Sequence, residues 1–193
     1  MARKPEPGAR ARILDIASRL FQDRGVRAVG LQQIIDECGC GKNLLYREFG
    51  SKDELVVAYL ERCTREWAAI VGRAAGRFPG DPAAQLIAVV GGVAEQALTP
   101  GFRGCPLRNA HSEFPDAGHP VHAVVLAHYT GRQAHLRELA RQAGAADPYA
   151  LAERITLIID GVNSNAPVLG GGGATPVAVA LAEDVVKAAT RPS

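Results

Sequence analysis

Apolar residues recur along this chain at helical spacing, with no convincing run of strand-like alternation. Ile13, Ile16, Ala17, Leu20 and Phe21 follow the i, i+3, i+4, i+7, i+8 rule of an amphipathic helix, and Gly25 ends it. Leu31, Ile34, Ile35 and Cys38 repeat the spacing over two turns, and Gly39 stops the second helix. A short third helix is expected over 42–49. Ser51-Lys52-Asp53-Glu54 reads as a capping box that starts a fourth. Val56, Leu60, Cys63, Trp67 and Val71 lie along one face of that helix. Run to about Ala75, it spans roughly 36 Å.

After a break at 76–81, Asp81-Pro82, Asp147-Pro148 and Thr175-Pro176 each read as a cap followed by proline at the first helical position. They predict helices near 82–97, 148–168 and 175–190. Another is expected over 119–142, and a short one around 106–113 within a segment rich in proline and glycine. Residues 1–8 read as a flexible arm. The expected architecture is all-α with about nine helices. A three-helix head over 9–51 is joined by the long fourth helix to an all-helical body over 52–193.

Charge adds direction to this outline. Residues 1–55 hold 10 Lys/Arg against 8 Asp/Glu, and 56–193 hold 12 of each, so the whole excess of +2 falls in the head. That is where a polyanionic partner is expected. No stretch is long and apolar enough for a membrane span. MARKPEPGAR lacks the apolar core of a secretory signal. A cytoplasmic protein is expected.

Two short helices around a glycine-containing turn, braced by a third, make a helix-turn-helix. Its second helix can enter the major groove of duplex DNA, roughly 12 Å wide. On 42–49, Leu45 and Phe49 should face inward, leaving Lys42, Asn43, Tyr46 and Arg47 outward with donors for phosphates and base edges. Gln32 and Gln33 open the second helix, where a DNA-backbone contact is expected. Lys52 lies in the first turn of the fourth helix, whose free amides favour an anion.

Residues 9–60 resemble the N-terminal domain of the TetR family of bacterial transcription regulators. "LFQDRG", "IIDECG", "LLYREF" and "SKDELVVAYL" carry the likeness in order and spacing. The resemblance implies a homodimer that binds a near-palindromic operator and releases it when a small ligand occupies the body. Three positions depart from the usual pattern: Gly30 for a Thr or Ser cap, Leu44 for a phosphate-contacting threonine, and Glu48 for a histidine. Leu44 still sits among the expected DNA-facing residues. Glu48 is expected to point aside or to pair with Arg47 or a neighbour.

Candidate metal and redox chemistry is thin. Cys38 continues a buried stripe and Cys40 takes an apolar position in the turn, so both read as core, with thiol sensing as an alternative. His111, His119, His122, His128 and His135 cluster with Cys105 nearby, but their spacing does not converge three ligands. The chain holds no Gly-rich phosphate loop, G-x-S-x-G or H-E-x-x-H. No catalytic residue, metal or cofactor is therefore expected. A metal-responsive DNA-binding sensor, and more remotely a metal-dependent enzyme built on the histidines, stay as alternatives.

"GFRGCPLRNAHSEFPD" resembles a segment found in one branch of the family. The family's pocket lies among the fourth and following helices. The expected lining is Trp67, Val71, Phe102, Cys105, Leu107, Phe114, Val125 and Tyr129, with Asn109, His111 and His128 as hydrogen-bonding groups. That composition favours a small, mostly apolar effector. The last two helices are unusually apolar. Ile155, Ile158, Ile159, Val162, Val177, Leu181, Val185 and Val186 are the expected dimer contacts, in the four-helix bundle that the resemblance implies.

Overall fold

The computed structural model describes residues 8–191, so the expected arm over 1–8 lies outside the described residues except for Gly8. Among the described residues nine α-helices follow one another: α1 (Ala9–Arg24), α2 (Leu31–Cys38), α3 (Lys42–Glu48), α4 (Lys52–Arg77), α5 (Pro82–Ala97), α6 (Pro106–Glu113), α7 (Pro120–Gln142), α8 (Pro148–Leu169) and α9 (Ala178–Ala189). There is no strand among the described residues. None of these helices is long and apolar enough to cross a membrane.

Local chemistry explains most boundaries. Gly25 and Gly39 end α1 and α2 with φ of +85° and +61°, which glycine adopts without a Cβ penalty. At α4 the Glu54 amide donates to Ser51 Oγ at 3.1 Å, and Glu54 reaches back to accept from the Gly50 amide at 3.1 Å. Asp81 and Asp147 cap α5 and α8 by accepting from the Ala84 and Ala150 amides, each at 2.9 Å.

Thr175 behaves differently. It opens a single 3-10 turn over Thr175–Val177 and caps nothing, and its hydroxyl is buried without a partner. The expected helix at 175 therefore begins at Ala178. Four glycines and an alanine precede Thr175, so the chain is still closing a loop where the cap signature falls.

The chain packs as two compact units. One takes residues up to Cys63 together with Pro106–Val125, and the other takes Thr64–Cys105 with the chain from Leu126 onward. In the first, Ile13, Leu20, Ile34, Leu45, Phe49, Leu55 and Leu60 are fully buried. The Phe21 and Tyr59 rings meet at 5.5 Å. In the second, α5, α8 and α9 pack against one another around Leu86, Val90, Val93, Leu151, Ile155, Ile159 and Val162.

The second unit also explains the Gly-Cys-Pro sequence. Gly104 has φ of +85°, and a Cβ there would lie 2.7 Å from the Asn163 carbonyl oxygen. Pro167, inside α8, has no N–H to offer that carbonyl. Only glycine allows the segment so close to it.

Candidate nucleic-acid interface and effector region

The turn at 39–41 joins α2 to α3. Gly39 adopts the left-handed conformation, the Cys40 amide donates to the Ile35 carbonyl at 3.2 Å, and Gly41 leads extended into α3. Cys40 is buried, and that burial, helped by the neighbouring Cys38 thiol, pushes its pKa up to about 11. A thiol held protonated at neutral pH is a poor nucleophile. Cys38 is half-buried.

Leu45 and Phe49 are both 0% exposed, which turns the opposite face of α3 outward. Lys42, Asn43, Tyr46 and Arg47 are exposed there. The Lys42 ammonium lies 5.8 Å from the Tyr46 ring centre. Glu48 does pair with Arg47, whose Nη2 and Nε donate to its carboxylate at 3.1 and 3.3 Å. Both partners are partly exposed, so the pair is weak and can exchange for a phosphate.

Arg10, on α1, donates to the Glu48 carbonyl and lays its guanidinium 4.1 Å from the centre of the Phe49 ring. It pins the end of α3. Leu44 is half-buried, as is Gln33. Gln32 is exposed, with Nε2 donating to Asp36 at 2.8 Å. Gly30 precedes α2 in extended conformation without a side-chain cap. Lys52 is half-buried in the first turn of α4; burial lowers its pKa, and the carboxylates of Glu113 and Asp53 oppose that.

Glu113, at the end of α6, has a role that its position in the sequence does not announce. Its carboxylate accepts from the Val26 and Arg27 amides at 3.1 and 2.6 Å, holding the α1–α2 connection. Beside it the Arg27 guanidinium lies 5.2 Å from the Phe114 ring centre, and Phe114 stacks on His119 at 4.4 Å. Among the expected effector residues, Leu107, Asn109, His111, Phe114 and Val125 belong to this first unit. Asn109 and His111 are exposed, and Leu107 and Val125 are buried.

Trp67, Val71, Phe102, Cys105, His128 and Tyr129 belong to the second unit. Trp67 stands edge-on to His128 at 6.1 Å, and His128 to Tyr129 at 5.6 Å. The Tyr129 hydroxyl donates to Cys105 Sγ at 4.0 Å. Val71 and Phe102 pack against the unit's core. Spacing alone missed Arg132. It lies one turn beyond His128, is 3% exposed, and donates to Asp160 at 3.1 and 3.5 Å. Its guanidinium lies 4.7 Å from the Tyr129 ring centre, so this cluster is more polar than the sequence suggested.

A groove of about 580 Å³ opens elsewhere in this unit, along Ile70, Arg73, Arg77, Ile87, Gly91 and Glu183. It holds none of the expected effector residues. Its arginines and glutamates are exposed, so water already satisfies them. Among the described residues, no three His, Cys, Asp or Glu side chains converge as a metal-ligand set.

Of the expected dimer contacts, Ile155, Ile159, Val162 and Val186 are buried within the protomer and serve its own core. Ile158 and Val185 are half-buried. Val177 and Leu181 are exposed, and so are Leu157 and Val168, which the apolar spacing did not single out.

Comparison with known proteins places this geometry. Residues 13–59 match the family model described as bacterial regulatory proteins, tetR family. The chain spans only about a quarter to a half of the length of the curated relatives it matches. The transcriptional activator FasR of Mycolicibacterium smegmatis is 43% identical over 60 residues, 31% of this chain and 27% of that protein. The transcriptional repressor KstR2 of Rhodococcus jostii is 43% identical over 49 residues, 25% of this chain and 24% of that protein. A solved TetR-family transcriptional regulator from Streptomyces coelicolor is similar throughout: 33% identical, covering 96% of this chain and 98% of its own, with a TM-score of 0.91. With the helix-turn-helix and the likeness along the whole chain together, this protein belongs to the TetR family of bacterial DNA-binding transcription regulators.

Proposed function

We propose that the protein is a homodimeric repressor that binds a near-palindromic operator through α3 and is released by a small effector in the helical body. The observation that carries the reading is the division of α3 itself. Leu45 and Phe49 are fully buried, so Lys42, Asn43, Tyr46 and Arg47 are presented together to solvent on a helix held from behind. Lysine and arginine supply charge for phosphates or guanine, asparagine suits adenine, and the tyrosine hydroxyl suits a phosphate. Gln32, Gln33, Leu44 and Lys52 flank them as backbone-contacting or packing positions.

In this reading residues 9–51 serve DNA and 52–193 serve ligand and dimer, in the cytoplasm. Trp67, Cys105, His128 and Tyr129 are the effector contacts best placed to act together, since their rings and polar atoms meet in one unit. Exposed Leu157, Val177 and Leu181 on the last two helical segments are the dimer contacts, because apolar side chains left in water favour a partner. Two-fold symmetry then pairs two α3 helices with half-sites about one helical turn apart. Repression is preferred to activation because release by ligand is the simplest use of a helix that binds DNA unaided; the relatives do not decide it, as FasR and KstR2 are named for opposite effects.

Sequencing the genomic fragments captured by the pure protein tests the reading. A shared near-palindromic motif with that spacing is expected. Capture without any common motif contradicts it.

A further inference from the structure

α3 ends on a charged pair. Arg47 Nη2 and Nε both donate to one oxygen of the Glu48 carboxylate, Oε1, at 3.1 and 3.3 Å. Glu48 is the steadier partner, its side chain 21% exposed against 44% for Arg47. Its backbone carbonyl accepts from Arg10. The Phe49 amide that follows donates to the Leu45 carbonyl at 2.8 Å, and Phe49 is fully buried. The carboxylate therefore stands on a fixed backbone, and the arginine folds onto it.

The two nitrogens that meet Glu48 lie along one side of the guanidinium plane. Arginine carries its N–H donors in a rigid fork. With the Nε side turned to the carboxylate, the donors left over are those at the tip, on Nη1 and Nη2. That end-on fork matches the paired acceptors O6 and N7 of guanine in the major groove.

Charge decides between base and phosphate. In the free protein the pair is exposed enough to open. Opening it against DNA leaves the Glu48 carboxylate unpaired beside a polyanion. Kept together, Arg47 and Glu48 carry no net charge, whereas a phosphate contact draws its strength from charge and counterion release. A guanine edge is neutral and calls for two aligned donors instead. Lys42 is the contrasting case. Its ammonium, 5.8 Å from the Tyr46 ring centre, is a point charge suited to phosphate.

We infer that Arg47 reads one guanine in each operator half-site through Nη1 and Nη2, and that Glu48 is the positioning residue that turns this fork outward and favours the base over phosphate. The inference rests on α3 entering the major groove, as proposed above, and adds which base it reads there.

Selection from a randomised duplex pool by the full-length wild type, Arg47→Lys and Glu48→Gln proteins tests it, followed by titrations at several salt concentrations. The wild-type motif should hold a G·C pair in each half-site whose replacement by A·T weakens binding about tenfold, within the range one bidentate contact discriminates. Arg47→Lys keeps the charge and loses the fork, so that preference should fall to about twofold. Glu48→Gln keeps the side-chain shape and the carbonyl that Arg10 holds, but frees the guanidinium charge. It should bind unrelated duplex more tightly, with a log–log salt slope steeper by up to about 0.9, while the preference for the G·C pair falls about fivefold. A Glu48 that only supports the fold would instead lower the melting temperature and weaken every duplex alike, leaving the preference intact.

A motif with no G·C pair that responds to Arg47→Lys overturns the inference and leaves α3 in the groove. Wild-type preference and salt slope in Glu48→Gln do the same. A preference for cytosine lost in Glu48→Gln but kept in Arg47→Lys would make Glu48 the reader, and also overturns it. A wild-type pool without any common motif contradicts the operator reading and the inference with it.

Discussion

Burial fixes the protonation of His128, and that makes it a source of acid sensitivity. Its pKa falls from 6.5 to about 4, first through desolvation and then through the Arg132 guanidinium. The unfolded chain therefore takes up a proton that the folded chain refuses. The stabilisation is fully present above pH 6.5 and is lost as pH falls toward 4. Its full size is on the order of 3 kcal/mol, at about 1.4 kcal/mol per pH unit. Burial lowers His135 in the same direction. Urea melts between pH 4 and 7 should show stability falling with acid, and His128→Phe should remove most of that slope. An unchanged slope in the variant would place the sensitivity elsewhere.

Among the elements, α6 has the most to lose from one substitution. The Glu113 carboxylate holds two amides of the α1–α2 connection, and Val26 is buried. Glu113→Ala should cost about 1–3 kcal/mol, the penalty for leaving such donors unpaired. It should also weaken operator binding, because α2 and α3 follow directly from the loosened turn. Glu113→Gln retains one acceptor oxygen and should fall between. Chemical melts and DNA titrations of the three proteins check this, and wild-type behaviour in Glu113→Ala would remove the clamp from the explanation.

That clamp also marks where sequence reading stops. Helix faces were legible, since Leu45 and Phe49, four residues apart, fix which side of α3 meets water. The capping box at Ser51 and the aspartate caps were legible because their hydrogen bonds close within four residues. Glu113 acts across 86 and 87 residues, and no local pattern encodes its partner. Arg132 was missed for a similar reason: a buried arginine looks like a surface one until Asp160 is set beside it. Apolar spacing picked out Ile155 and Ile159 and expected them at the dimer face; they lie in the protomer's own core, because spacing does not say which chain supplies the cover.

At the scale of the whole molecule, the proposed dimer rests on apolar side chains left in water. Leu157 is 71% exposed and Leu181 is 48% exposed, on α8 and α9. Replacing both by glutamate should leave the protomer folded, because neither supports its core. The pair should convert a dimer to a monomer in sedimentation at micromolar concentration, and weaken operator binding with it. A double variant that sediments as wild type would move the interface to another face.

Operator recognition by α3 is tested most directly by equilibrium titration of the captured duplex with wild type, Tyr46→Ala and Arg47→Ala over a range of salt. Wild-type affinity should fall steeply, with a log–log slope of about −0.9 for each phosphate neutralised. Tyr46→Ala should weaken binding to every duplex by roughly 1.5–3 kcal/mol, the worth of one hydrogen bond to a charged phosphate. Arg47→Ala should reduce the preference for the operator over unrelated DNA. Wild-type affinity and preference in both variants, or a flat salt response, would contradict the placement of this helix in the groove.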